Sequence, residues 1–243
     1  MYKAFITTLL IVVLVMPITT SAQNINNLKA YDLSKLWCAS KMQVIDGDVQ
    51  ETDFPEPIGF ISKNYQRFYI HYTSVVKDRT NPNTYLVRGK TKVKNDICSF
   101  TGTITVVSVK PHQSRLKNYK EGVISALIYL KEDAKQTESG FIKGNMISNF
   151  CLYKNNEIFY NTIDMVNDSF RNNQCVAIWT NYQTGETKKC NWGDFRVPDS
   201  GDLDTGEGEF YANKKYVNNG WMNYLNFDNY KLFMKEENRK WWL

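Results

Sequence analysis

The chain has 243 residues, 42% hydrophobic and 14% aromatic, with 30 basic against 25 acidic side chains and a formal net charge of +5. That length allows one large domain or two small ones with a real core. The basic residues (Lys90, Lys92, Lys94, Lys117, Lys120, Lys188, Lys189) are scattered along the chain, and the absence of a basic stripe argues against nucleic acid as a partner.

Met1 to Ala22 reads as a secretory signal peptide. Lys3 supplies the positive start, Phe5 to Met16 is almost unbroken apolar sequence, Pro17 ends it, and Thr20-Ser21-Ala22 offers the small residues of a cleavage site. The apolar run falls short of the about 20 residues that span a bilayer, and no later segment reaches that length. The expected mature chain, residues 23–243, is therefore exported, secreted or periplasmic, without a transmembrane segment. Its net charge is +4, Lys3 having left with the leader.

Residues 23–35 are polar and Asn-rich. Leu36 to Val44 reads as a first strand, or at its start as a short helix capped by Asp32, and Asp46-Gly47-Asp48 is a turn. Glu51 to Gly59, with Pro55 and Pro57, reads as a loop. From Tyr65 the pattern becomes regular. Tyr65–Lys77 sets Phe68, Ile70 and Tyr72 on one face. Thr84–Val93 sets Tyr85, Val87, Gly89, Thr91 and Val93 inside, against Leu86, Arg88, Lys90 and Lys92 outside. Ile97–Val109 returns after the turn at Lys94-Asn95-Asp96, with Cys98, Phe100, Gly102, Ile104 and Val106 on one face. This period-two alternation is the strongest β signal in the chain.

Pro111 to Lys120 reads as a polar loop, Val123–Lys131 as a strand, and Lys131–Gly140 as a further loop. Phe141–Tyr153 follows, then a turn at Lys154-Asn155-Asn156-Glu157, a strand Ile158–Met165 and a polar connection to Asn173. Cys175–Trp179 and a return strand form a hairpin about Gln183-Thr184-Gly185-Glu186. An acidic, glycine-rich loop, Asp199 to Glu209, leads to an expected short strand, Phe210–Val217. The tail, Trp221 to Leu243, is rich in aromatics.

At least eight strands joined by short turns imply antiparallel neighbours and a single all-β domain, a meander barrel or alternatively a β-sandwich. Leu36-Trp37, Lys41 and the Asp46-Gly47 turn resemble the opening of bacterial lipocalin-like domains, although Lys35-Leu36 stands where the usual glycine precedes the Trp. The general plan is similar to secreted proteins of Gram-negative bacteria. The resemblance implies a lipocalin-like barrel of about eight strands.

Five cysteines, Cys38, Cys98, Cys151, Cys175 and Cys190, fit no zinc spacing and include no CxxC. With Thr184-Gly185 as the turn centre, Cys190 lies opposite Trp179 and about 13 Å along the strand from Cys175, beyond disulfide reach. An odd count also leaves at least one thiol free or paired with another chain. Only His71 and His112 are available as imidazoles, and no GxSxG, HExxH or phosphate-binding glycine loop is present.

These features favour binding over catalysis, with no cofactor. A small apolar or amphipathic ligand would sit inside the barrel, lined by Trp37, Phe68, Tyr85, Phe100 and Trp179, each of which is equally a plain core residue. The alternative is a carbohydrate-binding module or a glycan-acting hydrolase using Trp192 to Glu209. In that reading Asp194 is the better-placed carboxylate, and Asp199, Asp202 and Asp204 are calcium candidates. The EF-hand pattern is not met. A third reading is a structural or interaction protein with a filled core. Trp221, Tyr224, Trp241 and Trp242 are expected to cover the open end of the sheet.

Overall fold

The computed structural model describes residues 30–46, 48–153, 157–225 and 239–243. Residues 1–29, which include the expected signal peptide, Gly47, residues 154–156 of the 154–157 turn and residues 226–238 of the aromatic tail lie outside them. The chain forms β1 (Lys41–Asp46), β2 (Asp48–Asp53), β3 (Ile58–Ile61), β4 (Gln66–Lys77), β5 (Thr84–Val93), β6 (Asp96–Gln113), β7 (Tyr119–Glu132), β8 (Gly140–Tyr153), β9 (Ile158–Tyr160), β10 (Asn172–Asn181) and β11 (Thr187–Asp194).

The β1–β2 hairpin is a separate two-stranded sheet. The remaining strands form one antiparallel sheet, in which β10 pairs with both β11 and β8. Hydrogen bonds thereby run in a ring through eight strands, β3-β4-β5-β6-β7-β8-β10-β11, giving an all-β, barrel-like molecule.

The period-two pattern places the core. Phe68, Ile70, Tyr85, Val87, Phe100, Ile104, Ile124, Ile128, Leu130, Ile142, Met146, Ala177 and Trp179 all point into the ring and belong to one buried cluster. Closure covers the edge groups that an open sheet would expose.

Several boundaries differ from the sequence reading. β3 begins in the Glu51–Gly59 stretch read as a loop and continues into residues given no element. Its four residues, Ile58-Gly59-Phe60-Ile61, are all buried, so they show no alternation. Gly59 and Ile61 face β4 and β11 in the ladder, while Ile58 and Phe60 pack into a second cluster outside the ring with Val197, Leu203, Phe210, Ala212, Trp221 and Tyr224. β2 is polar, DVQETD, and pairs only with β1.

β6 runs on through Pro111 to Gln113. From Val106 onward it has lost β5 as a neighbour, so the missing proline N–H breaks no ladder. The expected strand Phe210–Val217 is absent. A single bridge, Asp204 to Ala212, stands there with a 3-10 helix, Lys214–Asn219. Asn213 caps that helix by accepting from the Lys215 amide, and Gly220 ends it at φ 92°. β9 is likewise only three residues long.

The β10–β11 register is also corrected. Trp179 faces Lys188 and Cys175 faces Trp192, so the turn centre lies one residue earlier than read. Asn181 sets this: its side-chain oxygen accepts from the amides of Gln183 (2.8 Å) and Thr184 (2.9 Å), and Gly185 takes φ 70°. Cys175 and Cys190 are still not bonded, and all five cysteines are free thiols.

Candidate functional site

The ring has two unlike ends. The base gathers the 78–83, 114–118 and 161–171 connections. It is plugged by the chain before β1. A 3-10 turn, Ser34–Leu36, buries Leu33, Leu36 and Trp37. Trp37 stacks edge-on against Tyr85 at 5.0 Å, and its indole N–H donates to Ser148 Oγ at 2.8 Å. Ser148 donates to Asn173 Oδ1 (2.7 Å), and Asn173 Nδ2 donates to the Leu36 carbonyl (2.8 Å) and to Asp194 Oδ2 (2.7 Å). Tyr160 also donates to Asp194, at 2.9 Å.

Asp194 is fully buried, and burial pushes its carboxyl up to about 8 against the hydrogen bonds that favour the anion, with Glu56 adding in the same direction. The Tyr72 hydroxyl is buried nearby without a hydrogen-bond partner of good geometry, and burial and the charges around it raise its phenol well above the ordinary range. The crevice here, between Trp37, Tyr72, Trp192 and Asp194 inside and His71 and Glu56 outside, has a volume of about 30 Å³. That is close to one water molecule's share of the liquid, and it leaves no room for a sugar ring.

The mouth gathers the 62–65, 94–95, 133–139 and 182–186 connections and holds a pocket of about 270 Å³. Ile61, Phe68, Val93 and Trp179 give it an apolar floor, Gln66, Thr91, Cys98 and Glu132 a polar wall, and Lys94, Asp96, Glu138 and Lys188 a charged rim of both signs.

Glu132 is the organising group. As the last residue of β7 it keeps the inward parity of Ile128 and Leu130 and is only 6% exposed. Its carboxylate accepts from the Thr91 hydroxyl, from the Gly140 amide at 2.8 Å and from the Trp179 indole at 2.9 Å. Three donors from three strands meet one buried charge. The same charge acts on its neighbours. Burial first, then Glu132, pushes the Cys98 thiol up to about 12, so Cys98 stays a thiol and is no nucleophile at neutral pH. On the rim, the Lys188 ammonium sits 5.1 Å over the Trp179 ring and 3.2 Å from Glu186.

Of the aromatic lining expected from sequence, Phe68 and Trp179 meet in the mouth. Trp37 and Tyr85 pair at the base instead, and Phe100 lies mid-barrel against Tyr72 at 5.8 Å. Glu132 was missed because it was placed at the edge of a loop. The available signal was parity, which puts an acid on the core face of an otherwise apolar strand.

The Trp192–Glu209 region is split: Trp192 and Asp194 end β11 and face inward, and the residues from Val197 to Phe210 pack on the outside of the ring. Trp192 is 1% exposed and packs inward on Phe68. The three calcium candidates are drawn to three different cations: Asp199 to Lys189 (3.6 Å), Asp202 to Lys215, and Asp204 to Arg196 (2.8 Å). Among the described residues no group of three or more His, Cys, Asp or Glu could hold a metal.

Among the described residues of the tail, Trp221, Tyr224, Trp241 and Trp242 do not line the mouth. Trp221 and Tyr224 pack on the outer face around Arg67, and Trp242 stacks on His71 at 3.7 Å while His71 faces Glu56 at 3.0 Å. No protein-family model, no curated protein and no solved structure matches this chain.

Proposed function

We propose that this is an exported, non-catalytic binding protein that takes a small amphipathic ligand at the barrel mouth. The observation that carries this reading is the 270 Å³ pocket with an apolar Phe68–Trp179 floor, a fixed carboxylate, and Lys94 and Lys188 beside Asp96 and Glu138 on the rim. Small-molecule sites combine a mostly apolar recess with a few placed polar groups, and this volume falls just below their usual range of about 300–1,000 Å³, which restricts the ligand to a small one. An apolar portion would rest on Ile61, Phe68 and Val93, and a polar portion would meet Lys94, Lys188 or Gln66.

The test is native mass spectrometry of protein recovered from its own export compartment, compared with the denatured mass. A small-molecule adduct lost on denaturation supports the reading and gives the ligand's mass. A bare mass in both states rejects a tightly held ligand.

One observation favours a second reading, a structural or interaction protein. Mid-barrel, Ile104, Ile124, Leu130 and Ile142 are completely buried, so side chains fill the space that a deep carrier would keep open. A bare native mass together with a stable complex in cross-linking would select it.

A further inference from the structure

The outer wall over β5, β6, β7, β8 and β10 carries a surface unrelated to the mouth. The ladders align its outward residues in rows. One row crosses the five strands as Leu86, Thr103, Tyr129, Lys143 and Ile178. Toward the mouth runs Arg88, Thr101, Lys131, Phe141 and Thr180, and toward the base runs Leu127, Asn145 and Val176. At ~4.8 Å between strands the wall is about 20 Å wide.

Two features set it apart. The rows contain no carboxylate, and among the described residues Arg88, Lys131 and Lys143 have no acidic partner. Between these cations stand exposed aliphatics, Leu86 at 51%, Leu127 at 48% and Ile178 at 46%. Scattered exposed apolar residues are ordinary, but a cluster of them on one cationic, acid-free face is not.

We propose that this wall docks on an anionic lipid surface. The three cations would meet headgroup phosphates, and Leu86, Leu127 and Ile178 would enter the headgroup–acyl boundary. Charge opposes a two-fold contact with a second copy of the chain, because it would set the same cations against each other. A sugar or nucleobase is also a poor fit. The Tyr129 ring already carries Lys131 Nζ at 5.1 Å and Lys143 Nζ at 5.0 Å, leaving its faces occupied by ammonium groups.

The experiment is flotation of the exported protein, its leader removal checked by mass, with vesicles of phosphatidylcholine alone or mixed with phosphatidylglycerol. Binding is expected to the mixed vesicles only and to fall as salt rises. Lys131→Glu with Lys143→Glu lowers partitioning by about 25-fold or more, at about fivefold for each basic residue lost. Leu127→Ser with Ile178→Ser also lowers it. Both pairs are exposed, and an unchanged thermal midpoint confirms the fold. Should either pair fail to fold, Arg88→Glu alone carries the test with a loss of about fivefold.

Absence of binding to the mixed vesicles overturns the proposal, as does equal binding to both vesicle types or indifference to the charge reversals. Equal retention on a soluble acidic polysaccharide, unaffected by Leu127→Ser with Ile178→Ser, assigns the wall to a polyanion and overturns the lipid partner.

Discussion

The base and the mouth of this barrel are built from the same strands and end in opposite ways. At the base, a carboxyl with its pKa raised to about 8, Asp194, is sealed under an N-terminal plug with room for little more than a water. At the mouth, Glu132 is held by three donors beside an open recess. Two acids with the same inward parity therefore serve different ends. At Asp194 desolvation outweighs the hydrogen bonds and raises the carboxyl. The difference teaches that the ligand-sized space belongs to one end only, so the two ends should respond separately to substitution.

The largest effect is expected from the plug. Trp37→Ala removes a buried indole, its Tyr85 contact and its bond to Ser148, and should cost about 3–5 kcal/mol in urea unfolding. Ligand retained per folded molecule should not change. A loss of ligand out of proportion to unfolding would mean that the two ends are coupled.

Glu132→Gln comes next. The Thr91 hydroxyl, the Gly140 amide and the Trp179 indole would then compete for one carbonyl oxygen while an amide NH₂ faces them, costing about 1–3 kcal/mol. In native mass spectrometry this variant should lose the adduct that Trp37→Ala keeps.

The base has a pH signature of its own. Asp194 is faced by Tyr160, Asn173 and Tyr72, with Glu56 beyond. Its carboxyl titrates at about 8 in the folded chain, against an ordinary 3.8. Below the ordinary value both states are protonated and the native state keeps its full advantage. Between the two values only the unfolded chain releases the proton, so stability falls as pH rises, by up to about 1.4 kcal/mol per unit. Above about 8 this contribution has gone. Asp194→Asn should flatten that slope in urea midpoints measured across the window; an unchanged slope would place the titrating group elsewhere.

Legibility in the sequence followed the number of faces each strand buries. β4, β5 and the first part of β6 bury one face and expose the other, and their parity was readable residue by residue. β3 buries both faces because the 195–225 segment packs outside it, and a four-residue apolar run between proline and polar sequence carries no period. The β10–β11 register turned on Asn181 holding two amides, a side-chain event that a turn motif does not encode. The site was half readable. Phe68 and Trp179 are aromatic and inward, but nothing in local sequence separates them from Trp37, Tyr85 and Phe100. Which end stays open depends on where residues 33–37 dock.

The smallest expected effect discriminates most sharply. Lys188 lies on the rim of the mouth with its ammonium over Trp179, and its partner Glu186 is exposed. A solvent-bordering pair of this kind, with Lys188 half-buried and Glu186 exposed, contributes little to folding, so Lys188→Ala should move stability by no more than about 0.5 kcal/mol. The base, on the far side of a filled barrel, should be untouched, and the pH slope set by Asp194 should stay as in the parent. A ligand with an acidic head group needs a cation at the rim, so the same substitution should release it at least tenfold more readily, about 1.4 kcal/mol in binding. Ligand release with unchanged stability would locate recognition at the rim. Unchanged retention would shift the polar contact to another donor that borders the recess, Lys94 or Gln66 first among them.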